Sequence, residues 1–392
     1  MPCAWRISLA MSRFSTAKKI LTGAALLCLA ALLLCLPQPC ADALRGGLLL
    51  CSERLIPSLL PFLFLTEFTL RSGLVRAVGA VLSGVTRRVF HLPGICSVVL
   101  IMALIGGYPV GLRLSGELAR GGLLSVEEAR RMTRFCVGAG PAFVILAVGQ
   151  TLLSSPRAGY ILYSALLLSA LIIALIVPSK APRLKKSSPS TTQSYSAGEV
   201  MNLVTTSSAD SLPQIKAEVK AETDYGSAFI GSVSQAARQM LLICVWTLLF
   251  CGLCAYLPLF LPSPAAQVFA SLLEVSLGSQ YAAATGSLPL LCAVLAWGGL
   301  CVHCQLGAAI KLCGQTLPRF WFWRLCHAGL AFLICRGLLL IFHVEITPAS
   351  AAVSATANAE LWQLSAPAAL GLAAMGLGLL LQVADTRRAA ET

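Results

Sequence analysis

Long apolar runs recur along the chain and are separated by short clusters of basic residues. A helix needs about 20 apolar residues to cross the hydrocarbon core of a bilayer, and several runs approach that length. The clearest of them cover residues 20–36, 159–177, 239–261, 326–342 and 366–381. Hydrophobic residues make up 57% of the chain and charged residues 11%, which leaves too little polar surface to cover one soluble core. Because backbone groups in hydrocarbon must be satisfied within the segment, we predict an all-α polytopic membrane protein embedded in the lipid bilayer.

The basic clusters predict how the chain is oriented. Positive residues concentrate in cytoplasmic loops of membrane proteins, and this accounts for the net charge of +13 without a nucleic-acid partner. We assign to the cytoplasm both termini, the loops at 71–88, 113–134 and 311–324, and the polar middle of the chain. Arg324 is thereby placed in a cytoplasmic loop. The count that results is about eight transmembrane helices plus two re-entrant or broken pieces.

A polar stretch divides the chain into two membrane parts. Residues 178–226 are rich in Ser, Lys and Pro, cannot bury a core, and are expected to form a disordered cytoplasmic linker. The expected parts are a tail at 1–19, a first half at 20–177, a second half at 227–382 and a cytoplasmic tail at 383–392. The first apolar run could also be a signal peptide, and we favour a retained span. In the first half, Ser125 and Glu128 fit a capping box that opens a charged helix.

The two halves echo one another. The segment around Glu67, LTEFTL, aligns with LLEVSL around Glu274, and each half later has an apolar run that breaks at a Gly-Gly pair. Residues 94–107 and the piece around Glu274 are too short to cross and are expected to be re-entrant. Transporters built from duplicated halves place their substrate site where such broken helices meet. Chance matching of short leucine-rich segments is the alternative explanation.

Ionisable and helix-breaking residues at bilayer depth are the candidate site residues. Glu67 and Glu274 could hold a coupling cation or proton, and the alternative for each is a carboxylate near the interface. Glycines beside Tyr108 and at 138–140 could present backbone N–H groups to an anion, or could be simple kinks. His303 could line a polar cavity or could be a hydrogen-bonded packing residue. The predicted substrate-binding set is Glu67, Gly107, Tyr108, Pro109, Gly138, Gly140, Glu274, Ser276, Gly299, His303 and Gln305.

The 16 cysteines lie mostly within apolar runs and are interpreted as small packing residues. Two CxxC pairs, Cys251/Cys254 and Cys301/Cys304, leave open a zinc or thiol site that includes His303. The chain has no phosphate-binding loop, HExxH or nucleophile elbow with plausible partners. We therefore expect no enzymatic activity, no catalytic residue, no metal and no cofactor, and we leave homo-oligomerisation open.

Several ordered motifs resemble one known family. They are PSLLPF from Pro57, GGYPVG from Gly106, the stretch from Cys136 to Phe143 with Gly149, EVSLG from Glu274 and GGLCVHCQ from Gly298. Over residues 43–340, without the linker, they resemble the YlbJ and SpoVV family of sporulation integral membrane proteins. These carry the nucleoside-recognition or Gate domain also found in concentrative nucleoside transporters.

The resemblance implies a spore-forming bacterium and a transporter-like fold with re-entrant hairpins. It also implies passage of dipicolinic acid from mother cell to forespore, across the mother-cell-derived outer forespore membrane. One departure is Val137-Gly138-Ala139, where the family pattern has Asn or Ser, so the ligand or its affinity could differ. The long linker is also unusual for the family. The leading hypothesis is a transporter or facilitator of a small organic anion, and the alternative is a non-transporting scaffold for assembly of the spore envelope.

Overall fold

The computed structural model describes residues 3–176, 225–342 and 344, and every regular element in them is helical. In chain order the first nine helices are α1 (Cys3–Cys35), α2 (Pro37–Leu50), α3 (Ile56–Arg71), α4 (Val75–Val89), α5 (Cys96–Gly106), α6 (Tyr108–Arg120), α7 (Val126–Met132), α8 (Ala142–Leu152, with π-helical geometry) and α9 (Pro156–Ile176). The remaining ones are α10 (Tyr225–Cys254), α11 (Leu257–Phe260), α12 (Ser263–Leu273), α13 (Val275–Ala284), α14 (Leu288–Trp297), α15 (Gly299–Gln305), α16 (Gly307–Leu312) and α17 (Leu317–Ile341). The prediction of an all-α polytopic membrane protein is confirmed.

Five helical segments in the described part of the chain are long and apolar enough to cross a membrane. They are Pro37–Arg71, Pro156–Ile176, Tyr225–Phe260, Leu288–Gln305 and Leu317–Ile341. The expected count of about eight is therefore not confirmed. The expected first span falls in α1, whose apolar part Lys19–Cys35 is shorter than these five, and the expected last span at 366–381 lies outside the described residues.

The segment Pro37–Arg71 is one continuous helix, although it contains Pro57 and Pro61. A π-helical turn at Cys51–Leu55 joins α2 to α3, directly before Pro57. A proline inside a helix lacks an N–H donor and clashes with the carbonyl four residues earlier. The wider π-helical turn lies where the prolines would otherwise break the helix. It allows the helix to continue through them.

Two pairs of short helices form hairpins. α6 packs back on α5, so that a Cβ added to Gly111 would lie 2.4 Å from the Cβ of Ala103. α13 packs back on α12 in the same way, with Gly278 against the backbone of Ser271. Each glycine lies four residues after the residue at the hairpin tip, Gly107 or Glu274. Short helices that return on themselves are what we predicted for both pieces.

The long helices surround these hairpins. α9, α14 and α17 pack against one another, and α10 packs against α2 and α3. The closest approach of α8 to α9 is made by two glycines, since a Cβ on Gly149 would lie 2.6 Å from the Cα of Gly159. α10 begins at Tyr225, two residues before the expected start of the second half, and 178–224 of the expected linker lie outside the described residues.

Arg324 is not in a cytoplasmic loop, as its basic neighbours suggested. It lies on α17, eight positions into the helix by its bounds, and is 0% exposed. The assignment of this residue to a loop was wrong because α17 already begins at Leu317, so Arg324 lies within the helix and is buried. The capping box at Ser125 and Glu128 is confirmed, with both of its hydrogen bonds present at the start of α7.

Candidate solute-binding cavity

The tip of the first hairpin lies against a second interruption of the backbone. Gly107 separates α5 from α6 and has φ +73°, a left-handed conformation that glycine adopts without steric cost. A Cβ on Gly107 would lie 2.7 Å from the backbone N of Gly140. Gly140 belongs to the non-helical stretch that precedes α8. Two interruptions thus cross at a distance that excludes any side chain.

The tip of the second hairpin makes an equivalent crossing. Glu274 separates α12 from α13 with extended backbone angles, φ −134° and ψ 125°. The opposing interruption is Gly298-Gly299, which separates α14 from α15, with φ +84° and +77°. A Cβ on Gly299 would lie 2.9 Å from the backbone N of Val275. Backbone again meets backbone where two helices stop.

Tyr108 connects the two crossings. It is the first residue of α6, and its hydroxyl donates a hydrogen bond to the carbonyl oxygen of Leu295 near the end of α14. Its ring lies against Gly298, whose added Cβ would be 3.1 Å from the ring. The four interruptions are therefore neighbours in one region of the molecule.

A cavity lies at this region. It contains about 700 Å³ of space between protein atoms, its open side included. Its wall is mostly apolar and includes a few polar groups: Tyr108, Thr247, Glu274, Ser276, Cys301 and Gln305. An apolar wall with a few polar side chains is the usual composition of a binding site for a small organic molecule.

Glu274 is the acidic residue on this wall. It is 0% exposed, and its Oε2 accepts a hydrogen bond of 2.8 Å from the backbone N–H of Leu277, which caps α13. Its Oε1 has no hydrogen-bond partner among the described residues. A buried carboxylate oxygen without a partner is costly, and a cation, a proton or a solute donor would satisfy it.

The structure brings most of the predicted site residues together. Seven of the eleven line the cavity: Gly107, Tyr108, Pro109, Gly140, Glu274, Ser276 and Gln305. Gly299 packs against the backbone at Glu274 without lining the cavity. Gly138 lies in the same stretch as Gly140 and does not line the cavity either. Glu67 and His303 do not line the cavity.

Glu67 is held in a charged cluster between three helices. Its Oε1 accepts hydrogen bonds from Arg113 at 2.5 Å and from Gln239 at 2.7 Å. Its Oε2 lies 3.9 Å from Arg71, one turn later on α3. These contacts join α3 to α6 and α10, so Glu67 occupies a different environment from Glu274, with which the sequence aligned it.

His303 packs between aromatic rings. Its ring centroid is 4.5 Å from that of Trp297 and 5.2 Å from that of Phe320, and its Nε2 lies 2.9 Å from the carbonyl oxygen of Trp297. Cys301 is buried on the cavity wall, whereas Cys304 is exposed. Among the described residues, no three His, Cys, Asp or Glu side chains lie close enough to hold a metal ion.

Sequence reasoning missed a buried pair on α17. Arg324 and His327 are 0% and 1% exposed and lie behind the stretch that contains Gly138 and Gly140. The one local signal was the surroundings of Arg324, which follows four residues of aromatic sequence, FWFW, and precedes an apolar run. Few of its sequence neighbours are polar residues, so the surrounding sequence does not favour contact with water.

Fold and site together define a polytopic α-helical membrane protein in which interruptions between short helices meet beside a cavity. No protein-family model matches the chain, and no solved structure matches it significantly. Among curated proteins, it is 34% identical over 143 residues to the sporulation integral membrane protein YlbJ of Bacillus subtilis (strain 168). That similarity covers 36% of this chain and 35% of the relative, so the match spans about a third of the length of the curated protein.

Proposed function

We propose that this protein is a membrane transporter or facilitator of a small organic anion, with dipicolinate as the leading candidate. The observation that supports this is the meeting of four backbone interruptions beside one cavity, three of which line its wall. Broken helices at membrane depth are tolerated where they line a cavity, and transporters use them to form the substrate site. A purely structural membrane protein has no evident need for the buried polar groups that such breaks expose.

The ends of the interrupted helices suit an anion together with a coupling ion. α6 begins at the cavity, and the N-terminal end of a helix carries partial positive charge and free N–H groups. This end would attract a carboxylate of the solute, whereas the N-terminal end of α13 is capped by Glu274. Glu274, with its unpartnered oxygen on the wall, would bind a proton or a coupling cation that travels with the anion.

The paired hairpins support an origin in two related halves. Each has a tip residue, a glycine four positions later that permits close packing, and an opposing interruption from a later helix. In this correspondence Gly107 is equivalent to Glu274, and Gly140 is equivalent to Gly299. The alignment of Glu67 with Glu274 is replaced, since Glu67 lies within a continuous helix.

The similarity to YlbJ supports a role in sporulation. The name of that relative describes a sporulation integral membrane protein, and this chain matches about a third of it. We extend that role to this chain and place it in the mother-cell-derived outer forespore membrane, where transport of dipicolinate towards the forespore would occur.

Uptake into vesicles tests the proposal. The full chain would be reconstituted in vesicles loaded with terbium ions, whose luminescence rises as dipicolinate enters. We expect uptake by the wild-type protein and loss of most of it in Glu274→Gln, because the variant cannot bind a cation or exchange a proton at the cavity. Glu53→Gln, an exposed carboxylate on the π-helical turn, is the matched control and should transport normally.

Two results would contradict the proposal. Absence of uptake by folded wild-type protein across dipicolinate, nucleosides and dicarboxylates would favour the scaffold function instead. Normal uptake by Glu274→Gln would remove the carboxylate from the mechanism. Glu67→Gln separates the two acids, since its contacts predict a loss of stability with little change in solute affinity.

A further inference from the structure

Arg324 is a buried cation without an anionic partner among the described residues. Its Nη2 donates a hydrogen bond of 2.8 Å to the carbonyl oxygen of Arg134, and its Nη1 donates to the carbonyl oxygen of Val137. Its Nε has no partner, and no described Asp or Glu forms an ion pair with it. The guanidinium also lies over the ring of Phe320, 5.7 Å from its centroid. These contacts are with neutral groups, so the buried charge has no counter-charge among the described residues.

The neighbouring histidine supplies no counter-charge. An arginine can only donate, so the contact of 3.3 Å between its Nη1 and Nδ1 of His327 requires that Nδ1 accept. The proton of the neutral ring is then on Nε2, which lies 3.2 Å from the carbonyl oxygen of Leu166 and donates to it. His327 therefore fixes the guanidinium in place as a neutral group.

The stretch against which Arg324 packs has donors to spare. The carbonyl of Val137 is turned to the guanidinium, whereas the backbone N–H groups of residues 137–140 donate to no acceptor in the described part of the chain. Buried N–H groups in native proteins nearly always have a partner, from protein, water or ligand. Free N–H groups before a helix attract an anion, and Gly140 is the residue of this stretch that lines the cavity.

We propose that Arg324 gives the cavity its preference for anions. A solute carboxylate binds at the part of the wall that Gly140 forms, and the guanidinium that holds residues 134–137 from outside the cavity provides the compensating charge. Arg324 acts through the backbone it holds and is a positioning residue, since it does not line the cavity. The inference rests on the proposed function and specifies the chemical class of its substrate as a carboxylate.

Binding of two near-isosteric probes tests the inference. Pyridine-2,6-dicarboxylate and the neutral pyridine-2,6-dicarboxamide would be titrated calorimetrically into purified full-length protein. Wild-type protein should prefer the dicarboxylate. Arg324→Gln should bind the dicarboxylate roughly 10- to 100-fold more weakly, the effect of one charge at short range in a partly screened site, and the dicarboxamide almost unchanged. Arg336→Gln, an exposed arginine on the same helix, is the matched control and should retain the wild-type preference.

Arg324→Lys keeps the charge and loses one of the two carbonyl contacts. It should retain most of the preference for the dicarboxylate, and it decides the question even if Arg324→Gln fails to fold. Equal weakening of both probes in Arg324→Gln, loss of the preference in Arg324→Lys, or no preference in the wild-type protein would overturn the inference.

Uptake measured on the same variants separates this inference from the function beneath it. Preferential binding of the dicarboxylate without any uptake would refute transport and leave the anion site standing. Uptake by the wild-type protein that keeps its anion preference in Arg324→Gln would refute the role of Arg324 and leave transport standing.

Discussion

At the hairpin tips, the residue type is decided by how closely two backbones approach. Gly107 has a positive φ, and the backbone nitrogen of Gly140 lies 2.7 Å from the position that a Cβ would occupy. Gly138 lies two residues from the crossing on the opposing stretch, yet the nearest atom to an added Cβ is Cε1 of His327 at 3.9 Å. Gly107 therefore has no space for a side chain, whereas Gly138 has space for a methyl group.

Gly107→Ala should destabilise the protein far more than Gly138→Ala. The backbone of Gly107, with φ +73° and ψ −154°, lies in a region that is almost exclusive to glycine and costs another residue about 1–3 kcal/mol, and the contact with Gly140 adds to this cost. Thermal unfolding in detergent would show a clear drop in the melting temperature for Gly107→Ala and little change for Gly138→Ala. Equal melting temperatures would contradict the close crossing of the two interruptions.

At the scale of elements, short helices are held by contacts at their ends. α7 has seven residues, and its N-terminus is closed by the reciprocal hydrogen bonds of Ser125 and Glu128. Arg130 on this helix donates a hydrogen bond of 3.0 Å to the carbonyl oxygen of Gly314, which connects α7 to the loop before α17. The helix thus supports the stretch that leads to Gly138 and Gly140.

Ser125→Ala should lower the free energy of unfolding by about 1 kcal/mol, the usual contribution of a side-chain cap at a helix N-terminus. Ser234→Ala, an exposed serine within α10, is the control and should change it little. Denaturant unfolding of both variants would measure the difference. A loss no greater for Ser125 than for Ser234 would mean that the cap does not hold α7 in place.

At the scale of the whole molecule, what the sequence could predict depended on whether the signal was local. Gly107, Pro109 and Glu274 break an apolar pattern where they stand, and the structure places all three on the cavity wall. Arg324 could not be found in this way, because its partner carbonyl at Arg134 is 190 residues away in the chain. Its charge grouped it with the other basic residues of a predicted loop. Its burial depends instead on packing against a stretch that is distant in the chain.

The expected number of spans exceeds the five found in the described part of the chain for a related reason. Hydropathy identifies apolar runs but does not show which of them join, and the helix Pro37–Arg71 continues through Pro57 and Pro61 by way of the π-helical turn. The short helices of the two hairpins were predicted because their apolar runs are short for a crossing. How the four interruptions pair in space follows from the packing of glycines, which the sequence alone does not specify.

The central claim is that the cavity where the interruptions meet binds the solute. A cysteine placed at Gln305 would lie on its wall, next to the native Cys304, which is exposed and does not line it. Alkylation of Gln305→Cys, followed by mass spectrometry of both sites, should slow when dipicolinate is added, while Cys304 reacts at an unchanged rate. No protection at position 305 by saturating dipicolinate, or equal protection at both positions, would contradict a solute site in this cavity.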